Sequence, residues 1–268
     1  MPRAKKDLRG RHVVVTGAGT GIGRAIALRL AERGARLALL ARRRKPLAET
    51  AALAEEAGAE ATFVRSVDVR DRQKVDRGFA AAAKELGPVW ALVANSGVGG
   101  PNGPASGERA ADDRFDDLVA TNLNGTYFCM RAAERHLAEG PDERHLVAVS
   151  SILARIGVPG YSGYCASKAA LLGLSRALAA ELAPGGVQVN AVCPGWVDTE
   201  MAWEGIDGMA QGLGVSRDEA FAMAMSDVPM GRMGKPEDVA GLVSWLLSRD
   251  ARGVTGQGLD MNNGAYMS

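Results

Sequence analysis

Short apolar segments alternate with helix-like segments along this chain, and the alternation restricts its fold more than any other feature. Strands that are apolar along their whole length are typical of a parallel sheet covered by helices on both faces, with right-handed crossovers. The predicted strands are residues 12–15, 37–40, 62–67, 89–94, 146–149 and 188–192; predicted helices include 47–57, 75–86, 115–137, 164–182 and 236–247. The sequence therefore predicts an α/β fold, a single doubly wound parallel sheet flanked by helices.

Composition narrows the class of protein. The 268 residues are 47% hydrophobic with a net charge of +1, which favours one globular domain over 1–268 and gives no reason to expect nucleic-acid or membrane binding. No signal core or membrane-spanning run is visible, so we expect a cytoplasmic protein. The cysteines and histidines show no metal-ligand or disulfide spacing, and no metal is expected; they are Cys129, Cys165, Cys193, His12, His136 and His145.

A glycine-rich turn, residues 16–23, joins the first predicted strand to the first helix. Glycines there permit a tight turn and close backbone approach, while the helix N-terminus attracts phosphate. Turn glycines are often no more than turn residues, but the strand-turn-helix context favours a dinucleotide site on a Rossmann-type sheet. The candidate cofactor contacts are Gly17, Thr20, Gly21 and Ile22.

Several other segments should lie at the same edge of the sheet. Gly17, Asn95, Ser151 and Pro194 each follow a predicted strand directly. Ligands of such sheets bind beyond the carboxyl ends of the strands. We therefore expect these four positions to surround one cleft.

A proton donor can be assigned from residue types alone. Tyr164 precedes Lys168 by four residues on a predicted helix, which places the phenol and the ammonium one turn apart on one face. A cation at ~4 Å can lower the phenol pKa from about 10 by at most ~3 units at an effective dielectric of ~20. Tyr164 would give its proton to a ketone oxygen, Lys168 would also bind the cofactor ribose, and Ser151 would hold the developing oxyanion.

Each of these residues also has a plain structural interpretation. A tyrosine often packs with its hydroxyl at the surface, a lysine is usually solvated, and a serine after a strand is a common helix cap. An asparagine within a helix can simply bond backbone, which applies to Asn122. Catalysis is favoured because one site requires several of these roles together.

The motifs together resemble the short-chain dehydrogenase/reductase family over nearly the whole chain. The resemblance is carried by residues 16–23, Asp68, residues 95–97, Asn122, Ser151, Tyr164 with Lys168, and residues 194–195, with Ser96 where the family usually has alanine. It implies a homotetramer and a catalytic Asn122 that holds a water behind the lysine. It also implies cofactor contacts by Asp68, Val69, Asn95, Tyr164, Lys168, Pro194, Gly195, Val197 and Thr199, although Asp68 fits a turn or helix cap equally well.

The residues after the second strand indicate which nicotinamide cofactor binds. An NAD enzyme would present an acid there, whereas this chain has Ala41, Arg42 and Arg43. Arg42 can offer a planar fork of donors to a 2′-phosphate, with help from Arg43. The alternative is a solvated basic loop. The sequence therefore predicts NADP(H).

The substrate is expected between two segments. Residues 196–233, rich in methionine and aromatic residues, are interpreted as a lid or as the core of two short helices, and residues 97–107 as the opposite wall. The lid resembles that of ketoreductases acting on polyketide or acyl thioesters. The predicted function is reduction of a bulky apolar, cyclic or acyl-type ketone. Alternatives are an NAD(P)-dependent dehydrogenase of a hydroxysteroid or cyclic alcohol, and a non-catalytic dinucleotide-sensing protein.

Overall fold

The computed structural model describes residues 6–102, 113–140 and 142–267. The first five residues of the basic N-terminal segment lie outside this range. Of the predicted wall, residues 97–107, the structure describes residues 97–102, and residues 103–107 lie outside the described range.

A seven-stranded sheet forms the centre of the molecule, and its strand order is β3-β2-β1-β4-β5-β6-β7. Every neighbouring pair is parallel. The strands are β1 His12–Thr16, β2 Arg36–Ala41, β3 Ala61–Ser66, β4 Val89–Ala94, β5 Arg144–Val149, β6 Val187–Pro194 and β7 Gly258–Met261. The predicted doubly wound sheet is confirmed, and β7 is an additional strand that the sequence analysis missed.

Helices cover both faces of the sheet. They are α1 Gly21–Glu32, α2 Arg44–Ala57, α3 Arg72–Leu86, α4 Phe115–Val119, α5 Gly125–Glu134, α6 Ser162–Leu182, α7 Glu200–Leu213, α8 Arg217–Ser226 and α9 Pro236–Leu246. The prediction of one continuous helix over 115–137 is wrong. A π turn, Ala120–Asn124, separates α4 from α5, and α5 ends at Glu134.

The two faces of the sheet bury two separate hydrophobic cores. Along β1, Val13 and Val15 enter the core beneath α1 and α9, whereas Val14 enters the core beneath α3, α5 and α6. All three side chains are fully buried. Both faces of the strand are therefore apolar, which explains why its sequence is a continuous apolar run instead of an alternating one.

The segment 196–233 forms α7 and α8 and has a small core of its own. Ile206 and Ala220 are fully buried in that core. Trp203 stacks on Phe221, with ring centroids 5.5 Å apart. The two ends of the segment are joined, because Val197 forms a β-bridge with Gly234. Its apolar residues therefore serve first to hold two helices together.

The buried imidazole of His145 on β5 makes stability depend on pH. His145 is 4% exposed and packs against Trp90 with centroids 4.8 Å apart. Burial lowers its pKa from 6.5 to about 4, an effect that the nearby guanidinium groups of Arg11, Arg33 and Arg144 reinforce and the Glu143 carboxylate opposes. Because the folded state disfavours the proton that the unfolded state accepts, the neutral imidazole stabilises the fold above pH 6.5, and this stability is lost as pH falls towards 4.

We therefore expect the free energy of unfolding of the wild type to fall by about 2 kcal/mol more than that of His145→Gln between pH 7.5 and pH 5. Urea denaturation at the two pH values measures the difference. His136→Gln, a change at a partly exposed position, is the control and should follow the wild type. Equal pH dependence in the wild type and His145→Gln would contradict this role of His145.

Candidate functional site

The ends of β1 and β4 are joined by hydrogen bonds from one loop. The backbone N–H groups of Asn95 and Ser96 donate to Thr16 Oγ1, each at 3.0 Å. The Asn95 side-chain amide donates to the carbonyl oxygens of Thr16 and Gly17 at 3.1 and 3.3 Å. Asn95 thus holds the glycine turn against the loop that follows β4.

The glycine turn requires glycine for two separate reasons. Gly17 and Gly21 have φ values of 66° and 51°, a left-handed conformation that side chains disfavour. At Gly23 the obstacle is space, because a Cβ would stand 2.2 Å from the Gly17 oxygen and 2.5 Å from Asn95 Nδ2. The first turn of α1 is therefore packed directly on the preceding loop.

Arg24 is a structural contributor that the sequence analysis missed. Its Nη2 donates to the Gly19 oxygen at 2.7 Å, and its Nε donates to Thr50 Oγ1 at 3.0 Å. Thr50 is fully buried on α2. Arg24 therefore ties the glycine turn to α2. An arginine on a helix carries no sequence signal for such a contact.

The N-terminus of α1 is open to an anion. Thr20 is the N-cap residue; it is exposed and its side chain makes no capping hydrogen bond. Gly21 and Ile22, the next two residues, are half-buried. Thr20, Gly21 and Ile22 are predicted cofactor contacts, and together with Gly17 they surround the N-terminus of α1. The positive end of the helix dipole at this N-terminus favours binding of a pyrophosphate.

Arg42 and Arg43 differ in their surroundings. Arg42 follows β2 and is exposed, and its guanidinium has no ion-pair partner within 4 Å among the described residues, although its charge helps to lower the pKa of Asp68. Its backbone oxygen accepts a hydrogen bond from Ser66 Oγ at 2.8 Å. Arg43 lies 3.9 Å from Glu200 at the start of α7. Arg42 is thus the freer of the two cations to bind a phosphate.

Asp68 lies in a turn, and Asp71, not Asp68, caps α3. The Asp68 carboxylate accepts from the Arg70 backbone at 3.0 Å and from its guanidinium at 2.7 Å, contacts that hold the carboxyl pKa below its ordinary range. Val69 is buried, and its Cγ2 is 2.6 Å from the point where a Cβ on Gly125 would stand. The cofactor contacts of Asp68 and Val69 stay predictions.

Tyr164 and Lys168 lie near the start of α6, beside Ser151. The Lys168 nitrogen is 5.7 Å from the centre of the Tyr164 ring and donates to the Val149 oxygen at 2.9 Å. Ser151 caps a short 3₁₀ turn, where its Oγ accepts from the Leu153 N–H at 3.2 Å. The end of β5 and the first turns of α6 therefore bring the predicted phenol, ammonium and hydroxyl into one cluster.

The pKa values of this cluster correct one expectation. Burial raises the pKa of Tyr164 above its ordinary value, an effect that a hydrogen bond with Ser151 opposes. Burial also lowers the pKa of Lys168 to about 8. The predicted lowering of the Tyr164 pKa by Lys168 is not found, because desolvation of the phenol outweighs the effect of its neighbours.

Asn122 is fully buried in the π turn and faces the loop after β4. Its Nδ2 donates to Val98 O at 3.0 Å and Ser167 Oγ at 3.1 Å, and its Oδ1 accepts from the Val98 N–H at 2.9 Å. A Cβ on Gly97 would stand 3.2 Å from Asn122 Oδ1 and 3.3 Å from the Lys168 nitrogen. The amide oxygen and the ammonium thus lie on the same side of Gly97.

Strand β6 ends at Pro194, and the segment that follows it passes beside the glycine turn. Gly195 passes so close to Asn262 that a Cβ would stand 2.9 Å from its Cβ, and Val197 is buried. Thr199 caps α7, and its Cγ2 is 3.2 Å from the Cβ position of Gly21. The segment after β6 therefore borders the same cleft, and it contains the predicted residues Pro194, Gly195, Val197 and Thr199.

The described part of the chain shows neither a metal centre nor a membrane-spanning helix. Within it, no group of His, Cys, Asp and Glu side chains is arranged to hold a metal ion. No helix in the same ranges combines the length and apolar character needed to cross a membrane. The three cysteines are free thiols, two of them buried.

Known proteins share this fold over almost its whole length. Residues 17–266 match a family model described as Enoyl-(Acyl carrier protein) reductase. The 3-oxoacyl-(acyl-carrier-protein) reductase FabG of Staphylococcus aureus (strain N315) is 32% identical over 96% of this chain and 98% of its own. That of Vibrio harveyi is 33% identical over 97% and 99%.

Solved structures agree with these sequence matches. A variant of the actinorhodin polyketide ketoreductase with NADPH has a TM-score of 0.87 and 36% identity, covering 98% of both chains. A short-chain dehydrogenase of Burkholderia cenocepacia in complex with NADP has a TM-score of 0.83 and 33% identity, covering 97% of this chain and 99% of that one. The chain belongs to the short-chain dehydrogenase/reductase family of oxidoreductases.

Gly23→Ala should weaken dinucleotide binding at least tenfold, because the added Cβ displaces the Gly17 carbonyl and the Asn95 amide from their contact. Fluorescence titration with NADPH measures the dissociation constant. Gly173→Ala, in an exposed part of α6 where a Cβ meets nothing within 4 Å, is the matched control and should bind like the wild type. Wild-type affinity in Gly23→Ala would disprove the importance of this packing.

Proposed function

We propose that this chain is an NADP(H)-dependent carbonyl reductase that interconverts a ketone and a secondary alcohol. The observation that carries the proposal is the cluster of Tyr164, Ser151 and Lys168 at the same sheet edge as the glycine turn. A ketone reduction needs a hydride donor, a proton donor and a group to orient the oxygen, and this edge supplies places for all three.

The residues present fit the dinucleotide. The α1 N-terminus and the packed glycine turn suit the pyrophosphate, through Gly17, Thr20, Gly21 and Ile22. Arg42, whose guanidinium has no ion-pair partner among the described residues, suits a 2′-phosphate, with Arg43 beside it. When bound, NADP(H) supplies or accepts the hydride. The remaining contacts of the cofactor are assigned to Asp68, Val69, Asn95, Tyr164, Lys168, Pro194, Gly195, Val197 and Thr199.

Tyr164 acts as the proton donor in the direction of reduction. Its raised pKa keeps the phenol protonated near neutral pH, so that the proton is available to the substrate oxygen. Ser151 donates a hydrogen bond to that oxygen as negative charge develops on it. The Lys168 ammonium stabilises the phenolate that remains, and a water between Lys168 and Asn122 returns a proton from solvent.

The substrate is assigned to the acyl or polyketide type, with other bulky or cyclic ketones as the wider class. Support comes from the relatives, two of which are named as reductases of 3-oxoacyl groups on acyl carrier protein and one as a polyketide ketoreductase. The assembly as a homotetramer, the cytoplasmic location and the extent of the domain over 1–268 stay predictions.

Tyr164→Phe should lower kcat at least a hundredfold, because the change removes the hydroxyl that is proposed to give its proton to the ketone oxygen. Its dissociation constant for NADPH should change less than threefold, since the ring remains. Loss of NADPH absorbance with a panel of β-keto esters and cyclic ketones measures kcat. Tyr127→Phe, at a half-buried position on α5, is the control. Undiminished turnover in Tyr164→Phe would refute the proposed chemistry.

Arg42→Gln should weaken NADPH binding by about 10- to 100-fold, the effect of removing one charged hydrogen-bonding partner, and leave NADH binding within twofold. Titration of each cofactor at fixed ionic strength gives the two dissociation constants. Arg44→Gln, an exposed arginine two residues further on, is the matched control. An equal loss in the two variants would show a general charge effect in place of a phosphate contact.

A further inference from the structure

Met201 lies against the wall of the candidate active site. A Cβ on Gly99 would stand 3.0 Å from Met201 Sδ and 4.0 Å from Cε2 of the Tyr164 ring. Gly99, Met201 and Tyr164 therefore meet around one point. Met201 is 45% exposed, so its side chain borders the open cleft instead of the protein interior.

The first turn of α7 explains why this side chain reaches the cleft. Thr199 caps the helix and rests on Gly21 of the glycine turn. Trp203 turns away, since it stacks on Phe221 and its Nε1 donates to Asp198 at 2.7 Å. Between them, Met201 extends from the same turn towards Tyr164.

Three glycines, Gly97, Gly99 and Gly100, lie in the described part of the opposite wall, residues 97–102. At Gly97 a Cβ would meet Asn122 Oδ1 and the Lys168 nitrogen at 3.2 and 3.3 Å, and Gly100 has a φ of 100°. Gly97 therefore lacks the room for a larger residue, and Gly100 has a conformation that larger residues disfavour. Met201, on the other side, is a flexible side chain that packs on this part of the loop.

We propose that Met201 determines substrate specificity by setting the width of the slot between α7 and the glycine wall beside Tyr164. This inference rests on the proposed function and narrows its substrate class to ketones that present a slender, unbranched acyl chain to the slot. Because the Met201 thioether packs directly on Gly99, a substrate that enters between α7 and this loop must displace the thioether. A flexible methionine moves aside for a linear chain and packs along it, whereas a ring needs more space than this movement gives.

The test compares two β-keto esters that differ in the group beside the ketone. Ethyl acetoacetate carries a methyl group and ethyl benzoylacetate a phenyl ring. Met201→Ala should raise the ratio of kcat/KM for the benzoyl ester to that for the acetyl ester by about tenfold, the usual effect of altering a pocket by a few carbon atoms. Its NADPH dissociation constant should match the wild type. Met223→Ala, an exposed methionine on α8, is the control and should keep the wild-type ratio.

A second pair of variants tests the contact itself. Gly99→Ala should lower kcat/KM for both esters about tenfold, because the new Cβ displaces the Met201 side chain and so disturbs the contact between Met201 and the substrate. Adding Met201→Ala should restore most of that loss, a coupling that two independent changes would not show. A Met201→Ala enzyme that is active with an unchanged ratio overturns the role of Met201 and leaves the proposed function standing. A wild type that reduces neither these esters nor the wider ketone panel overturns both.

Discussion

The hydrogen bonds of Asn95 are the constraint on which the rest of the site depends. They hold the end of β4 to Thr16 and Gly17 at the end of β1, so the glycine turn and the wall after β4 form one unit. From that wall, Val98 exchanges hydrogen bonds with the buried amide of Asn122. These hydrogen bonds therefore connect the glycine turn to the loop that packs on Asn122, and the proposed hydride transfer requires such a connection between the two ends of the cleft.

Most of the fold could be predicted because its strands are buried on both faces and read as apolar runs. The missed strand, β7, has four residues that are half-exposed or exposed and include Asp260, so it carries no such signal. The interruption of the predicted 115–137 helix was also invisible. A π turn such as Ala120–Asn124 adds a residue to one turn of a helix and leaves the apolar pattern on either side intact.

The candidate site was predictable where residue type fixes the chemistry, as for Tyr164, Lys168 and the glycine turn. Contacts that depend on the tertiary path of the chain were not, and the hydrogen bonds of Arg24 to the glycine turn are the main example. The direction of the Tyr164 pKa shift was missed for a related reason. Spacing on a helix gives the nearest charge, but burial is decided by all the elements packed around the phenol.

A crystal structure of the chain with NADP⁺ bound is the most direct test of the account. It should show the pyrophosphate at the N-terminus of α1, the 2′-phosphate on Arg42, and the nicotinamide ring beside the hydroxyl of Tyr164. A dinucleotide that binds elsewhere, or a nicotinamide ring out of reach of that hydroxyl, would contradict the claim that this sheet edge brings hydride and proton donors together.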